Sequence, residues 1–263
     1  MYKYFFLIVY SFLLLSGCVK KPVFIPFNDK HISYEGRIPF KEDAAELTWP
    51  GTAVRLNFTG TSISGWFKDS DTANYYIVLV DNKPVSTLHF EIIKKKYELV
   101  AGLPYGNHSL QLYKRTEWDK GRTWFYGFES DEKIKLLPAP ELPKRKMEFF
   151  GNSITCGYAI TDSVNDSHVG YFQNCYDTYA AITARHFNAQ CYSTSKSGIG
   201  ITISWFPFIA KEMYDRLDPT DPNSKWNFSL YTPDLVIINL FQNDYWLVKN
   251  TTHPEFKNRF GAN

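Results

Sequence analysis

Between residues 52 and 134 apolar side chains fall on every second position. Val54, Leu56 and Phe58 share one side of an extended chain, with Arg55 and Asn57 on the other. Ile63, Gly65 and Phe67 repeat the pattern after the turn Thr59-Gly60. A period of two is what a half-buried strand requires, because successive side chains point to opposite faces. Further extended runs cover residues 75–80, 96–100, 108–113 and 124–128, separated by Asp81-Asn82, Gly102, Gly106-Asn107 and Gly121. Many short strands with no helical stretch among them predict an antiparallel β-sandwich of jelly-roll type over residues 25–137. The basic triplet Lys94-Lys95-Lys96 reads as a solvated turn.

The style of the sequence then changes. Residues 138–146 open on a proline-dense segment and read as a linker. From 147 to 263 the expected architecture is an α/β layer fold with a parallel sheet. Met147-Glu-Phe-Phe150 makes a short strand, 174–187 a helix with Tyr176, Tyr179, Ala180, Thr183 and Phe187 on one face, and 190–194 a second strand. Residues 201–217 carry helical spacing disturbed by Pro207, and 219–229 form a loop rich in Asp, Pro and Asn. Residues 234–240 are almost continuously apolar, as in a strand covered on both faces.

The first residues stand apart from the fold. Lys3 precedes an apolar run that ends in Leu15-Ser16-Gly17-Cys18. A short basic region, a brief apolar region and small residues at its end describe a secretory signal over 1–17. Leu-Ser-Gly-Cys is similar to a bacterial lipobox, which implies an exported lipoprotein anchored to the envelope membrane through acyl chains on Cys18. Three cysteines remain, Cys156, Cys175 and Cys191, an odd count that follows no zinc spacing and predicts no particular disulfide. The 29 basic and 27 acidic residues are dispersed, so no nucleic-acid partner is suggested.

Three polar clusters fall where the predicted parallel strands end: Gly151-Asn152-Ser153, Ser195-Lys196-Ser197-Gly198 and Gln242-Asn243-Asp244. In parallel sheets ligands sit at the carboxyl ends of the strands, and parallel strands carry all three clusters to one edge. A site for acyl transfer through serine accounts for the three together, and such chemistry needs no metal or cofactor. Ser153 and Asn152 also suit a helix N-cap, and the two readings are compatible, because a serine opening a helix turns its own N–H toward a developing oxyanion.

The same residues carry a family resemblance. Gly-x-Ser-Ile-Thr, Ser-Gly, and Asn-Asp after a Val-Ile-Ile-Asn strand resemble the SGNH (GDSL-type) hydrolases. Ser153-Ile-Thr-Cys-Gly-Tyr158, Ser197-Gly-Ile-Gly200 and the Trp226-Asn-Phe-Ser…Pro233-Asp stretch are similar to carbohydrate esterase family 2, the acetylxylan-esterase type, whose members carry a jelly roll ahead of the hydrolase domain. The resemblance runs from roughly residue 25 to residue 243. It implies an SGNH domain over 147–263, Ser153 as nucleophile, and an oxyanion hole built from the Ser153 and Gly198 backbone N–H groups and the Asn243 amide. It implies acetylated xylan- or mannan-type carbohydrate as substrate. Trp246, just after the Asn-Asp pair, is a candidate either to line a sugar site or to pack under its loop.

Three departures stand out. Asn152 takes the place of the family's usual Asp, and Phe241 that of its usual Gly. The family's general-base histidine lies in an Asp-x-x-His segment far downstream of Asn-Asp, whereas this sequence ends at Asn263. Asn250-Thr-Thr-His253 imitates that motif too early and is expected in the loop leaving the Asn243 strand. Nothing after Leu247 reads as a closing helix. His168, in a polar loop, and His186, on an amphipathic helix, are no better placed. The expectation is therefore a truncated, impaired esterase, with a non-catalytic carbohydrate-binding lipoprotein as the alternative.

Overall fold

The structure is a computed structural model that describes residues 22–130 and 134–261; the Cys18 and signal-segment readings lie outside the described residues. Two antiparallel sheets fill the N-terminal half. One holds β1 (Val23–Pro26), β3 (Ala45–Leu47), β5 (Ile63–Asp69), β8 (Lys95–Val100) and β10 (Thr123–Ser130), with β10 at its centre. The other holds β2 (Ile32–Glu35), β4 (Ala53–Gly60), β6 (Tyr76–Val80), β7 (Lys83–Leu88), β9 (Gly106–Lys114) and β11 (Lys135–Leu136). The alternating residues do what their period requires. Val54, Leu56 and Phe58 of one sheet meet Ile63, Phe67, Phe125 and Phe128 of the other in a single apolar core, with Phe67 stacked on Phe90 at 4.1 Å between centroids. Lys95 and Lys96 do not form the expected turn: they open β8, where Lys96 reaches Glu129 across the sheet.

A three-stranded parallel sheet follows, in the order β13 (Ala189–Ser195), β12 (Arg145–Gly151), β14 (Leu235–Asn239). Helix α2 (Tyr179–His186) lies on one face, where Met147, Phe149, Cys191, Ala180 and Ala184 form a second core. The helix begins five residues later than the spacing suggests, because Asn174 and Thr178 cap two successive turns: Cys175–Asp177 is a 3-10 turn and the Thr178 hydroxyl accepts from Ala181 N–H. Two further expectations are corrected. Residues 201–217 are not helical; only Ala210–Glu212 makes a 3-10 turn, and Phe206, Phe208, Ala210 and Met213 pack instead around Trp49 and Ile199. And β14 is not covered on both faces: Leu235, Val236 and Ile238 are exposed, Ile238 by 65%.

The chain between the halves is held at three of its carbonyls. Asn57 donates to Pro138 O, Ser33 to Pro140 O and Gln190 to Pro143 O. Across the seam the buried Arg37 guanidinium meets Glu148 of β12 at 2.7 Å and donates to Tyr214 O and Arg216 O, with the rings of Trp226 and Phe228 beside it. Burial pulls the Arg37 pKa down while Glu148 holds the charge in place. Trp49 donates to Leu217 O, and Glu35 accepts from Cys191 N–H.

Candidate active site

The register of the parallel sheet brings the three polar clusters to one edge. Gly151, the last residue of β12, stands opposite Ser195 of β13 on one side and Asn239 of β14 on the other. Lys196 N–H then donates to Gly151 O, carrying the pairing one residue past the strands. Gly151 tolerates no side chain, since a Cβ there would lie 1.9 Å from Thr155 Oγ1.

The chain turns from β12 into α1 (Ser153–Cys156), a single turn closed by Gly157 in the left-handed conformation. Asn152 is the N-cap, its carbonyl oxygen accepting from Ile154 N–H. Its amide nitrogen donates to Gln242 Oε1 at 2.6 Å, and Gln242 in turn donates to Asn239 Oδ1. An aspartate at 152 has no hydrogen to give Gln242, so the residue that departs from the family pattern is matched to its partner. Ser153 is half-buried at the start of α1. Its backbone N–H has no acceptor among the described residues, as expected at the first turn of a helix.

The second cluster supplies another such N–H. Gly198, at φ +82°, accepts from Trp205 N–H through its carbonyl, and its own N–H finds no acceptor among the described residues. A positive φ is tolerated there because glycine has no Cβ. The third cluster lies on α3 (Gln242–Leu247). Asn243 Oδ1 accepts from Trp205 Nε1 at 3.1 Å, and one hydrogen of its amide nitrogen goes to Ile199 O at 2.8 Å, leaving the other uncommitted. Its neighbour Asp244 is buried and accepts from Ile201, Thr202 and Ile203 N–H. Asn243 and Asp244 thereby fasten the loop after Gly198 to α3.

Phe241, where the family resemblance expects glycine, sits at φ +79° with its ring 62% exposed. The backbone conformation is the one glycine would take without strain. Trp246 is exposed beside Tyr245 rather than packed under its loop. None of the six histidines hydrogen-bonds Ser153 among the described residues. His253 lies near Trp205, edge to face at 5.2 Å, and caps the closing helix α4 (Pro254–Phe260), which the sequence reading did not expect. The cap uses Nδ1 as acceptor for Glu255 N–H at 3.2 Å. The three remaining cysteines are free and buried.

The least legible member of the site comes from the N-terminal half. Glu117, in the sequence Thr-Glu-Trp-Asp, is 1% exposed and accepts from Ser197 N–H at 2.8 Å. No motif announces it; a carboxylate beside a tryptophan is ordinary surface chemistry until the fold closes over it.

The pattern of the family described as Carbohydrate esterase 2 N-terminal matches residues 34–140. The chain is 39% identical over 218 residues to Cellulase/esterase CelE of Acetivibrio thermocellus, an alignment covering 81% of this chain and 26% of that protein. It is 26% identical over 227 residues to an acetylxylan esterase/glucomannan deacetylase of Cellvibrio japonicus, covering 84% of this chain and 63% of that one. It thus spans about a quarter of the first relative's length and rather less than two thirds of the second's. A solved family two carbohydrate esterase from Clostridium thermocellum, in complex with cellohexaose, superposes with a TM-score of 0.77 at 34% identity, covering 88% of this chain and 75% of that one. With that identity sustained over three quarters of a solved member, the chain belongs to carbohydrate esterase family 2.

Proposed function

We propose that the chain is a serine esterase that removes O-acetyl groups from carbohydrate of the xylan or mannan type, built as a jelly roll (25–137), a linker (138–146) and an SGNH domain (147–263). Ser153 is the nucleophile. The N–H groups of Ser153 and Gly198 and the free hydrogen of the Asn243 amide hold the oxyanion. The observation that carries the reading is that these three donors, far apart in sequence, end at one edge of one sheet, each with a hydrogen left without an acceptor among the described residues. Losing one such donor typically costs about 10²–10³ in rate. The substrate class follows the names of the relatives, an acetylxylan esterase/glucomannan deacetylase among them. Trp246, exposed on α3, is available to stack on a sugar ring. We place the protein in the cell envelope, tethered through Cys18.

A serine hydroxyl needs a base, and His253 is committed as a helix cap. Among the described residues no base reaches Ser153, so its proton must pass to solvent and turnover by these residues is slow. The test is acetate release from acetylated glucomannan by the wild type and by Ser153→Ala, with and without added imidazole as an external base. The expected result is a rate above Ser153→Ala that imidazole raises further. Equal rates under both conditions would remove serine from the mechanism. A second reading, a carbohydrate-binding lipoprotein without turnover, draws on the same lack of a base at Ser153; it predicts cellohexaose binding that Ser153→Ala leaves unchanged.

A further inference from the structure

The N-terminal half does more than sit beside the site. The loop between β9 and β10 reaches across the seam, and at its tip the Glu117 carboxylate is enclosed between the two chain segments that carry the proposed catalytic groups. One oxygen accepts from Ser197 N–H, the residue before Gly198, at 2.8 Å. The same oxygen lies 3.7 Å from the Sγ of Cys156, the last residue of the turn that begins with Ser153. The other accepts from Gln173 Nε2 at 3.0 Å, while Gln173 Oε1 accepts from the backbone N–H of Glu117 itself. The pair is fully complementary, with each donor facing an acceptor.

The loop is held from behind with equal care. Lys114, at the end of β9, is fully buried, and its ammonium is surrounded by Asn74 Oδ1 at 2.8 Å, Thr116 O at 2.9 Å, Thr116 Oγ1 at 3.2 Å and Glu117 O at 3.2 Å. The backbone on either side of Glu117 is thus wound round a buried cation. Toward the site, Lys196 faces Glu117 from the β13 loop and also meets Asp119 at 3.3 Å. Burial raises the Glu117 carboxyl pKa, Asp119 adds to this, and Lys196 and the Ser197 N–H act against it.

We infer that Glu117 is a positioning residue for the oxyanion hole: the N-terminal half uses its carboxylate to fix Ser197, and through it the direction of the Gly198 N–H, relative to Ser153. This deepens the proposed function and rests on that reading of Gly198. The physical argument is that Gly198 has no side chain to hold it and sits in a conformation other residues avoid. Its orientation must come from its neighbours, and a buried charge-assisted bond is among the strongest restraints available. Without the carboxylate the Ser197 N–H loses its acceptor, and a donor misplaced by about 1 Å forfeits about 10²-fold in rate.

The experiment uses the full chain and four variants: Glu117→Ala, Glu117→Gln, the exchange pair Glu117→Gln with Gln173→Glu, and Ser153→Ala. Glu117→Gln can offer its one amide oxygen to Ser197 N–H or to Gln173 Nε2 but not to both, so one donor always meets a donor; the exchange pair removes that conflict and returns an oxygen to Ser197. The first readout is amide hydrogen exchange at Ser197 and Gly198. The second is the affinity for methylboronic acid, whose boron takes the Ser153 oxygen, releases the proton to solvent and leaves a tetrahedral anion shaped like the acetyl intermediate. The expected result is at least tenfold faster exchange and at least tenfold weaker boronate binding in Glu117→Ala and Glu117→Gln, both recovered by the exchange pair. Unchanged exchange at Ser197 overturns the inference. So does boronate affinity that stays intact in the Glu117 variants but is lost in Ser153→Ala. Affinity unaffected by Ser153→Ala overturns instead the serine reading on which it rests.

Discussion

The two halves treat equally apolar strands in opposite ways. In the sandwich, Phe67 of β5 and Phe125 of β10 are fully buried, each facing the opposite sheet. In the parallel sheet, β14 reads Leu-Val-Ile-Ile-Asn, apolar at four successive positions, yet Leu235, Val236 and Ile238 are exposed and only Ile237 joins the core. The contrast separates what a sequence pattern encodes from what a set of residues covers. A continuous apolar strand is the pattern of a position flanked on both sides. Among the described residues β14 pairs on one side alone, with β12, and its other edge is open. Nearby, Phe241, Tyr245, Trp246 and Val248 extend the exposed apolar surface. A patch of this kind calls for a cover.

The comparison can be broken most sharply at the seam. Glu148→Gln leaves the Arg37 charge buried without its partner, and urea unfolding should show a loss of about 3–5 kcal/mol. Within the sandwich, Phe67→Ala should cost about 3–5 kcal/mol by the same measurement, through lost burial and the cavity left behind. A smaller loss would mean that the sandwich core is looser than its burial indicates. The next effect depends on pH. Asp69 is buried beside Thr123 and Asn74, and desolvation raises its pKa to about 6 from 3.8. The folded state therefore binds this proton more tightly than the unfolded one. Its contribution to stability is full below about pH 4 and is lost as pH rises through 6. Relative to Asp69→Asn, the wild type should gain stability between pH 7 and pH 4, by up to about 3 kcal/mol.

Two milder substitutions sharpen the other side of the contrast. Phe241→Gly removes a side chain from a left-handed backbone and should stabilise by about 1 kcal/mol, because the exposed ring contributes little burial. Destabilisation by the same amount would mean that the ring packs on something the described residues do not include. Ile238→Lys on β14 should change stability by no more than about 0.5 kcal/mol while lowering self-association in sedimentation velocity. A large loss of stability would show that β14 is covered after all.

What could be read from the sequence follows the same division. Strands β4 and β5 announced themselves because their inner residues alternate with half-exposed ones, whereas β6, buried along its whole length between two cores, was legible only as a continuous apolar run. β12 and β14 were legible as short apolar runs and β13 as the strand between them in the chain, each followed by a polar cluster. The edge strand β7 was missed because Lys83, Pro84 and Val85 are exposed and carry no alternation. Residues 201–217 misled because their apolar residues face several partners at once: Phe206 and Phe208 pack toward Trp118, and Met213 joins them around Trp49. Spacing of three and four arises there without a helix. Glu117 was not legible, and Asp244 was legible only as a member of its polar cluster, because nothing local distinguishes a carboxylate that accepts backbone N–H groups from one that faces water. Both act on segments at least forty residues away, Glu117 on Ser197 and Asp244 on the loop after Gly198.

The proline-dense connection between the halves looks in sequence like a flexible tether, but Asn57, Ser33 and Gln190 each hold one of its carbonyls. A segment so fastened is a splint and not a hinge. The two halves, braced by these carbonyl bonds and by the buried Arg37–Glu148 pair, should melt as one cooperative unit.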